Sequence, residues 1–435
     1  MSHTDRREVL KSTGFHRLRM QAFFSMSILY LFYYFCKYNL GTAAKGIQDE
    51  FGYSSQTIGW VTTIFTLVYA AGQFINGFLG DRYGPKRIML IGAVGGIIAN
   101  VCFGLSGVLW LFVLFWAFNA YFSSCGWAPG SRILFNWFPE NRWGTWMGIY
   151  NGLCYLGGAI VAIVAGYAVH HWGWRAAFFV APVFLLAMAV VFLLLGKNSP
   201  RDAGLDVEWE PPAPKQPRRR ANGRDYWIAF TSVEMNLSYI SGFGANFVRW
   251  GIVTWMIKIL AEPVVEGGFG MSLFAAAAIT SMAHWGGAFF SVILGIVSDR
   301  LFKGKRWQTI MIGFFLGAMP LFYIAQGPVI LEYGSSIALP WNLTVGLLLL
   351  GTAMFISGGM IQAIQTPLFD LPGDILGAER GGTGVGIMDG WMYVGASFAG
   401  VFLGWWLDTY GLMSGVSLMA VVCLVSGLAA ALIRR

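Results

Sequence analysis

Two positive side chains sit where a positive charge is hardest to keep. Lys37 lies in the run YYFCKYNL and Arg249 in NFVRWGI, each inside a long apolar stretch. Lys37 precedes Lys45 by eight residues, and Arg249 precedes Lys258 by nine. At about 1.5 Å per helical residue, both fall roughly 12 to 14 Å below the nearest polar boundary. A cation at that depth costs on the order of 3 kcal/mol even on the mildest insertion scale, so it needs a wet cavity or a partner. Snorkelling to the surface is a poor account, because neither residue is near a span end. Two accounts remain. One is an ion pair with an intramembrane acid, for which Asp389 is the candidate; the other is a pair of cations facing each other across a cavity to bind an anion.

The neighbours of both cations favour the anion. Tyr30, Tyr34 and Lys37 stand at i, i+4 and i+7, so two phenols share the helical face of the lysine. Asn246 stands three residues before Arg249 and joins its face. Tyr69 with Gln73, Asn151 with Tyr155, and Asp389 with Tyr393 are further i, i+4 pairs of polar groups within apolar runs. Most of the 17 tyrosines are expected to pack or to lie at an interface; these differ because they accompany mid-span polar groups. Glu234, Asp370 and Asp374 fall near the ends of their runs and read as solvated acids.

These residues need spanning elements to hold them. The chain is 435 residues long, 56% hydrophobic and 11% charged, a membrane composition. Twelve apolar stretches are each long enough to cross a bilayer as a helix, near 20–44, 57–79, 88–108, 111–137, 145–169, 175–196, 227–257, 272–297, 307–327, 339–364, 382–406 and 412–433. The expected fold is therefore all-α, with twelve transmembrane helices. A hydrophilic stretch rich in Pro and charge divides them six and six, which gives halves at 1–196 and 227–435 joined by a linker at 197–226. No small-residue cleavage site follows the first apolar run, which is expected to be retained.

The formal charge of +8 could suggest nucleic acid, but 23 of the 29 Lys and Arg residues lie at the termini, in the linker and in the loops after even-numbered spans. Only Lys45, Arg175 and Lys258 lie on the other face, while Lys37, Arg132 and Arg249 are inside spans. By the positive-inside rule both termini and the linker are cytoplasmic, and the basic balance is a topology signal. The five cysteines, Cys36, Cys102, Cys125, Cys154 and Cys423, all lie in apolar segments without metal-ligand spacing and read as free thiols. Five scattered histidines make no metal site or catalytic pair, no nucleotide-cradling Gly-x-x-x-x-Gly-Lys-Ser/Thr loop is found, and neither an enzyme nor a cofactor is expected.

The two halves repeat one pattern. RWGTWMGIYNGLCYLGG from Arg142 aligns without a gap on RGGTGVGIMDGWMYVGA from Arg380, which sets Asn151 opposite Asp389. GFLGDRYGPKR from Gly77 and GIVSDRLFKGKR from Gly295 both end a span with Gly-x-x-x-Asp-Arg and a basic cluster. An aspartate at a helix end and cations in a tight turn can pin neighbouring helices and release them when the helices tilt, which makes Asp81, Arg82, Arg87, Asp299 and Arg300 gate candidates, with Arg132 as a partner for Asp81. Twelve spans in two parallel halves with this motif resemble the major facilitator superfamily. The resemblance implies a site between two pseudo-symmetric six-helix halves and access that alternates as the halves rock.

A finer resemblance bears on the substrate. YYFCKYNL, CGWAPGSRILFNWF, NFVRWGI and NSPRDAGL are similar to stretches of the organophosphate:phosphate antiporters, which exchange phosphate esters for inorganic phosphate. That resemblance implies that Arg249 and Lys37 bind phosphate, with Lys37 standing where arginine is usual and lacking its bidentate fork. It also implies that Tyr30, Tyr34, Tyr69, Trp127, Asn151 and Tyr393 line the cavity. Gln73 and Cys154 replace a lysine and a histidine of well-known members, and Asp389 adds an acid. Fewer cations and one acid favour an anion of lower charge, or one that enters with a proton. The expected protein is a monomeric, multi-pass transporter of a small organic anion, organophosphate or phosphonate-like, in a bacterial inner membrane. Exchange for inorganic phosphate, proton-coupled symport through Asp389 and a transporter-like sensor of a sugar phosphate are the three readings.

Overall fold

The computed structural model describes residues 13–53, 55–205, 223–271, 273–331, 338–339, 343–377 and 380–433. The N-terminal basic residues Arg6, Arg7 and Lys11, most of the linker with Arg218 to Arg220, and the terminal Arg434 and Arg435 lie outside the described residues.

Among the described residues are fifteen α-helices, fourteen of which make up the twelve spans. Spans 1 to 3 are α1 (Thr13–Phe51), α2 (Ser55–Tyr83) and α3 (Pro85–Leu105). Span 4 is two helices, α4 (Leu109–Ser123) and α5 (Trp127–Trp137). Spans 5 and 6 are α6 (Trp143–Trp172) and α7 (Ala176–Leu195). A short helix α8 (Gly223–Thr231) precedes α9 (Val233–Ala261), α10 (Leu273–Arg300) and α11 (Arg306–Ile324), which are spans 7 to 9. Span 10 is again two helices, α12 (Val345–Ala363) and α13 (Gln365–Leu376), and α14 (Gly381–Tyr410) and α15 (Leu412–Ala431) complete the set. A two-residue antiparallel pair, β1 (Ala338–Leu339) and β2 (Leu343–Thr344), is a small addition that the apolar pattern does not reveal.

Among the described residues, nine helical stretches are long and apolar enough to cross a membrane by composition alone. Three span helices, α1, α6 and α9, are not among them, and two of these, α1 and α9, carry Lys37 and Arg249. The polar cargo of these helices lowers their hydropathy, so they span only where their neighbours cover that cargo.

The repeat is carried into the elements. α6 and α14 are each 30 residues long, and their starts differ by 381 − 143 = 238, the offset of the aligned motifs. Each ends at a glycine with positive φ, Gly173 at 81° and Gly411 at 88°, where any other residue would be strained. The breaks in spans 4 and 10 obey the same offset: Trp127 opens α5, Gln365 opens α13, and 365 − 127 = 238. Pro129 and Pro367 follow two residues later in both. A proline in the first turn lacks only an N–H that has no intrahelical partner, so it is tolerated there and would disrupt a continuous helix.

Contacts divide the chain into two compact units, Met1–Ser232 with Pro372–Gly390, and Val233–Leu371 with Trp391–Arg435. The second half of the repeat therefore gives α13 residues and the start of α14 to the first unit. Two glycines make this possible within that unit. A side chain added at Gly77 of α2 would stand 2.9 Å from Cα of Gly386 in α14, so the two backbones approach as only glycine allows.

At the opposite end of the first unit, Glu50 accepts from Arg175 at 2.6 Å and from the Trp174 indole at 2.7 Å, tying the end of α1 to the turn before α7. The bonds from Arg175 and Trp174 hold the Glu50 carboxyl below the usual carboxylate range. A group depressed on folding stabilises above its unfolded pKa of about 4.3 and loses that contribution as pH falls through its folded value. The melting temperature of purified Glu50→Gln protein should therefore lie below wild type by a constant gap above about pH 5, a gap that closes as the medium is acidified below about pH 4. A gap independent of pH would contradict this bond as its source.

Candidate functional site

The first unit gathers the aromatic and polar residues around Lys37. Tyr30, Tyr34 and Lys37 from α1, Tyr69 and Gln73 from α2, Trp127 at the start of α5, Asn151 and Cys154 from α6, and Asp389 from α14 are all buried. The Lys37 ammonium lies 3.9 Å from the centroid of the Tyr69 ring and 5.5 Å from that of Tyr34. Tyr38 and Phe65 complete the aromatic surround, each at 5.9 Å. Ring faces carry partial negative charge, so they replace part of the hydration that the ammonium has lost. Tyr69 and Tyr30 share a hydrogen bond of 3.1 Å between their hydroxyls. The carboxylate of Asp389 is within electrostatic range of the Tyr69 and Tyr150 phenols, so Tyr69 is a common neighbour of the lysine and the acid.

Two features of this unit are missed from sequence. Tyr150 stacks on Trp127 with ring centroids 4.6 Å apart and planes within 9°, and its backbone oxygen accepts from the Cys154 thiol at 3.1 Å. Its signal is its position, one residue before Asn151 in the repeated motif. The second feature fixes the turn that bears Lys37. The backbone oxygen of Cys36 accepts from Asn119 at 2.7 Å and from Asn100 at 3.3 Å. Asn39 donates to Asn100 at 2.9 Å, and Asn100 donates to Asn119 at 2.9 Å. Three fully buried asparagines from spans 1, 3 and 4 thus clamp the backbone immediately before the lysine. Asparagine inside an apolar span is the signal that could have found them.

The second unit orients Arg249. Its guanidinium donates to the Gln365 side-chain oxygen at 3.3 Å, and the Gln365 amide donates to the Asn246 side-chain oxygen at 3.0 Å. The bond to Asn246 fixes which way the Gln365 amide faces and leaves its oxygen for the arginine. Asn246 and Arg249 are thus joined as their spacing predicts, through a residue that spacing does not reveal. Tyr393 belongs to this unit and packs near Trp250, with centroids 6.3 Å apart. The boundary between the units runs between Asp389 and Tyr393, both on α14.

The aspartates that end the two Gly-x-x-x-Asp-Arg motifs are paired differently. Asp81 accepts from the backbone N–H of Thr383 at 2.6 Å and its hydroxyl at 2.8 Å, near the start of α14, and pairs with Arg132 of α5 at 3.3 Å. A carboxylate at a helix N-terminus complements both the free N–H groups and the helix dipole. Arg82 and Arg87 are exposed, as is Arg300. In the second unit Asp299 pairs with Arg306, which also donates to Ser298 at 3.0 Å and approaches Asp370 at 3.7 Å. The expectation that Asp370 is a solvated acid is wrong: its side chain is fully buried, and only Asp374 is exposed. Asp370 stands at the repeat position of Arg132, since 370 − 132 = 238, so the charge at that place is reversed and Arg306 compensates two carboxylates.

The polar clusters of the two units, the shared 238-residue offset and the paired span breaks describe a duplicated helical scaffold. Residues 26–400 match the Major Facilitator Superfamily. The chain belongs to that superfamily. A solved superfamily member, the proton:xylose symporter XylE bound to 6-bromo-6-deoxy-D-glucose, shares the fold at a TM-score of 0.71 over 95% of each chain, with 11% identity. The "Probable hexose phosphate transport protein" of Chlamydia trachomatis serovar D is 27% identical over 410 residues, 89% of this chain and 84% of that one. The "Membrane sensor protein UhpC" of Escherichia coli K12 is 26% identical over 384 residues, 88% and 84% of the two chains. Superfamily members are multi-pass membrane transporters rather than enzymes, in keeping with the twelve spans.

Two outcomes follow from the site. Arg306→Leu removes the cation between two buried carboxylates and should cost about 3 to 5 kcal/mol, read as a large drop in melting temperature that Arg306→Leu/Asp370→Leu partly restores. An unchanged melting point for Arg306→Leu would contradict the pairing. Tyr69→Phe keeps the ring beneath Lys37 and should hold phosphate exchange within about threefold, whereas Tyr69→Leu should lower it by about tenfold. Equal losses would assign the role to the hydroxyl bond with Tyr30 instead.

Proposed function

We propose that this chain is a secondary transporter of a small organic anion, organophosphate or phosphonate-like, working by alternating access in exchange for inorganic phosphate. The observation that carries the reading is that each unit holds a buried mid-span cation, Lys37 among aromatic rings and Arg249 bonded to Gln365. Both cations bind the anionic head of the substrate, Arg249 through its fork and Lys37 as a point charge. Tyr30, Tyr34, Tyr69, Trp127, Asn151 and Tyr393 shape the rest of the site. The halves are residues 1–196 and 227–435, and both termini and the 197–226 linker face the cytoplasm. The names of the similar proteins, one a hexose phosphate transport protein, support a phosphorylated substrate.

The exchange that this reading requires depends on release of α14 from Asp81, because the carboxylate and Thr383 bind one another through two hydrogen bonds. Proton-coupled symport is the second reading, favoured by the burial of Asp389 beside Tyr69 and Tyr150.

Radiolabelled phosphate counterflow in proteoliposomes separates these readings. Wild type should exchange, and Arg249→Gln should lose about 100-fold or more, the cost of truncating a charged partner. Full exchange by Arg249→Gln removes the arginine from the site. Uptake driven by an imposed pH gradient and abolished in Asp389→Asn would replace exchange by symport, and substrate flux by the purified chain rejects a purely sensory role.

A further inference from the structure

A histidine that enters none of the preceding roles shares the unit of Arg249. His284 lies on α10, eleven residues after its first residue Leu273, about 16 Å along the helix. Arg249 stands nine residues inside Lys258 on α9, so the two are at similar depth. The His284 Nδ1 meets the side-chain oxygen of Gln362 at 3.2 Å. The Gln362 amide nitrogen donates to the backbone oxygen of Ala283 at 2.9 Å. That second bond decides the tautomer. Because the amide nitrogen is directed at a carbonyl, the amide oxygen faces the imidazole, and an oxygen there can only accept. Nδ1 must therefore carry the proton, which leaves the lone pair of the neutral ring on Nε2.

The charged groups around the imidazole are few. The Arg249 guanidinium of α9 is within electrostatic range of it. From α12, which packs closely on α10, the neighbour is Gln362, and Val345–Ala363 carries no titratable residue. On α11, the Arg306–Ile324 segment bears Arg306 and Tyr323 at its two ends, and Arg306 is engaged by Asp299 and Asp370. Arg249 is itself held by Gln365, three residues beyond Gln362 at the break in span 10. One break thus presents a pair of glutamines, one orienting the arginine and the other the histidine.

We propose that His284 is a specificity-determining residue of the anion site, holding one proton between its Nε2 and an oxygen of a phosphate or phosphonate head, so that the anion is bound as its monoprotonated form. The inference rests on the anion reading above and deepens it. Arg249 supplies charge to any anion, while the Nε2 lone pair accepts only from an anion that still carries P–O–H. A doubly ionised phosphate ester or phosphonate binds by taking up one proton from solvent, and a singly ionised one binds with none exchanged. The bound state is the same in both cases, and no bond other than the O–H or N–H is made or broken. This accords with a site that carries glutamine and cysteine at Gln73 and Cys154: a singly charged guest needs fewer cations.

The test is equilibrium binding of radiolabelled methyl phosphate, a monoester whose dianion carries no P–O–H, to the purified full chain in detergent, between about pH 6 and pH 8.5. Wild type should weaken by about tenfold per pH unit over the alkaline half of that range, as the monoprotonated anion is depleted. Two variants divide the imidazole. His284→Asn retains a donor near the Nδ1 position and lacks Nε2; His284→Gln places an amide, which does not titrate, near Nε2. Both should reduce the slope to less than about threefold per unit. A second measurement needs no variant: at about pH 8, in weak buffer, methyl phosphate binding to wild type should take up about one proton per anion bound. Slopes equal to wild type in both variants, or binding without proton uptake, would overturn the assignment of His284 alone. No methyl phosphate binding to wild type at any pH would instead remove the anion reading and this inference with it.

Discussion

A cation kept inside an apolar helix bundle must be surrounded by groups that stand in for its lost water, and both buried charges are met in this way. Around Lys37 the substitutes are ring faces, which solvate an ammonium without neutralising it. Around Arg249 they are side-chain amides ordered by one another, Gln365 by Asn246. Ring faces and amide oxygens carry only partial negative charge, so these contacts lower the cost of burying each cation without cancelling its charge.

Carboxylates are spent elsewhere, at the ends of spans. Asp81 binds the start of α14 and Arg132, while Asp299 and the buried Asp370 share Arg306. The two motifs are copies in sequence but are not copies in charge, because the site of Arg132 in one half is Asp370 in the other. The first pairing ties α2 to the start of α14 and to α5, and the second closes on itself within α10, α11 and α13.

Much of this was legible in the residues. The twelve apolar runs, the glycines at fixed spacing and the 238-residue offset are one-dimensional patterns, and they pass directly into α6 and α14 with identical lengths and matched ends. The superfamily could be recognised from the motif that runs from Gly77 to Arg87 together with twelve spans in two halves. The Lys37 face was also predictable, because helical spacing places Tyr30 and Tyr34 beside it. What escaped depends on direction around a helix and on contacts between spans. The breaks before Trp127 and Gln365 are marked only by prolines two residues later, and either proline is compatible with a kink or a first turn. Gln365, Tyr150 and the asparagines at the Cys36 carbonyl have ordinary neighbours in sequence and acquire their roles from other helices. Asp370 was misread because distance from a span end measures depth, and depth alone says nothing about which side chain from α11 covers it.

The account stands on Lys37 and Arg249 acting on the same anion. Affinity for inorganic phosphate, measured on purified wild type, Lys37→Gln, Arg249→Gln and the double variant at one ionic strength, tests this most directly. Each single change should weaken binding by about 30-fold or more, and the double variant should bind no more tightly than either. Wild-type affinity in either single variant would contradict it.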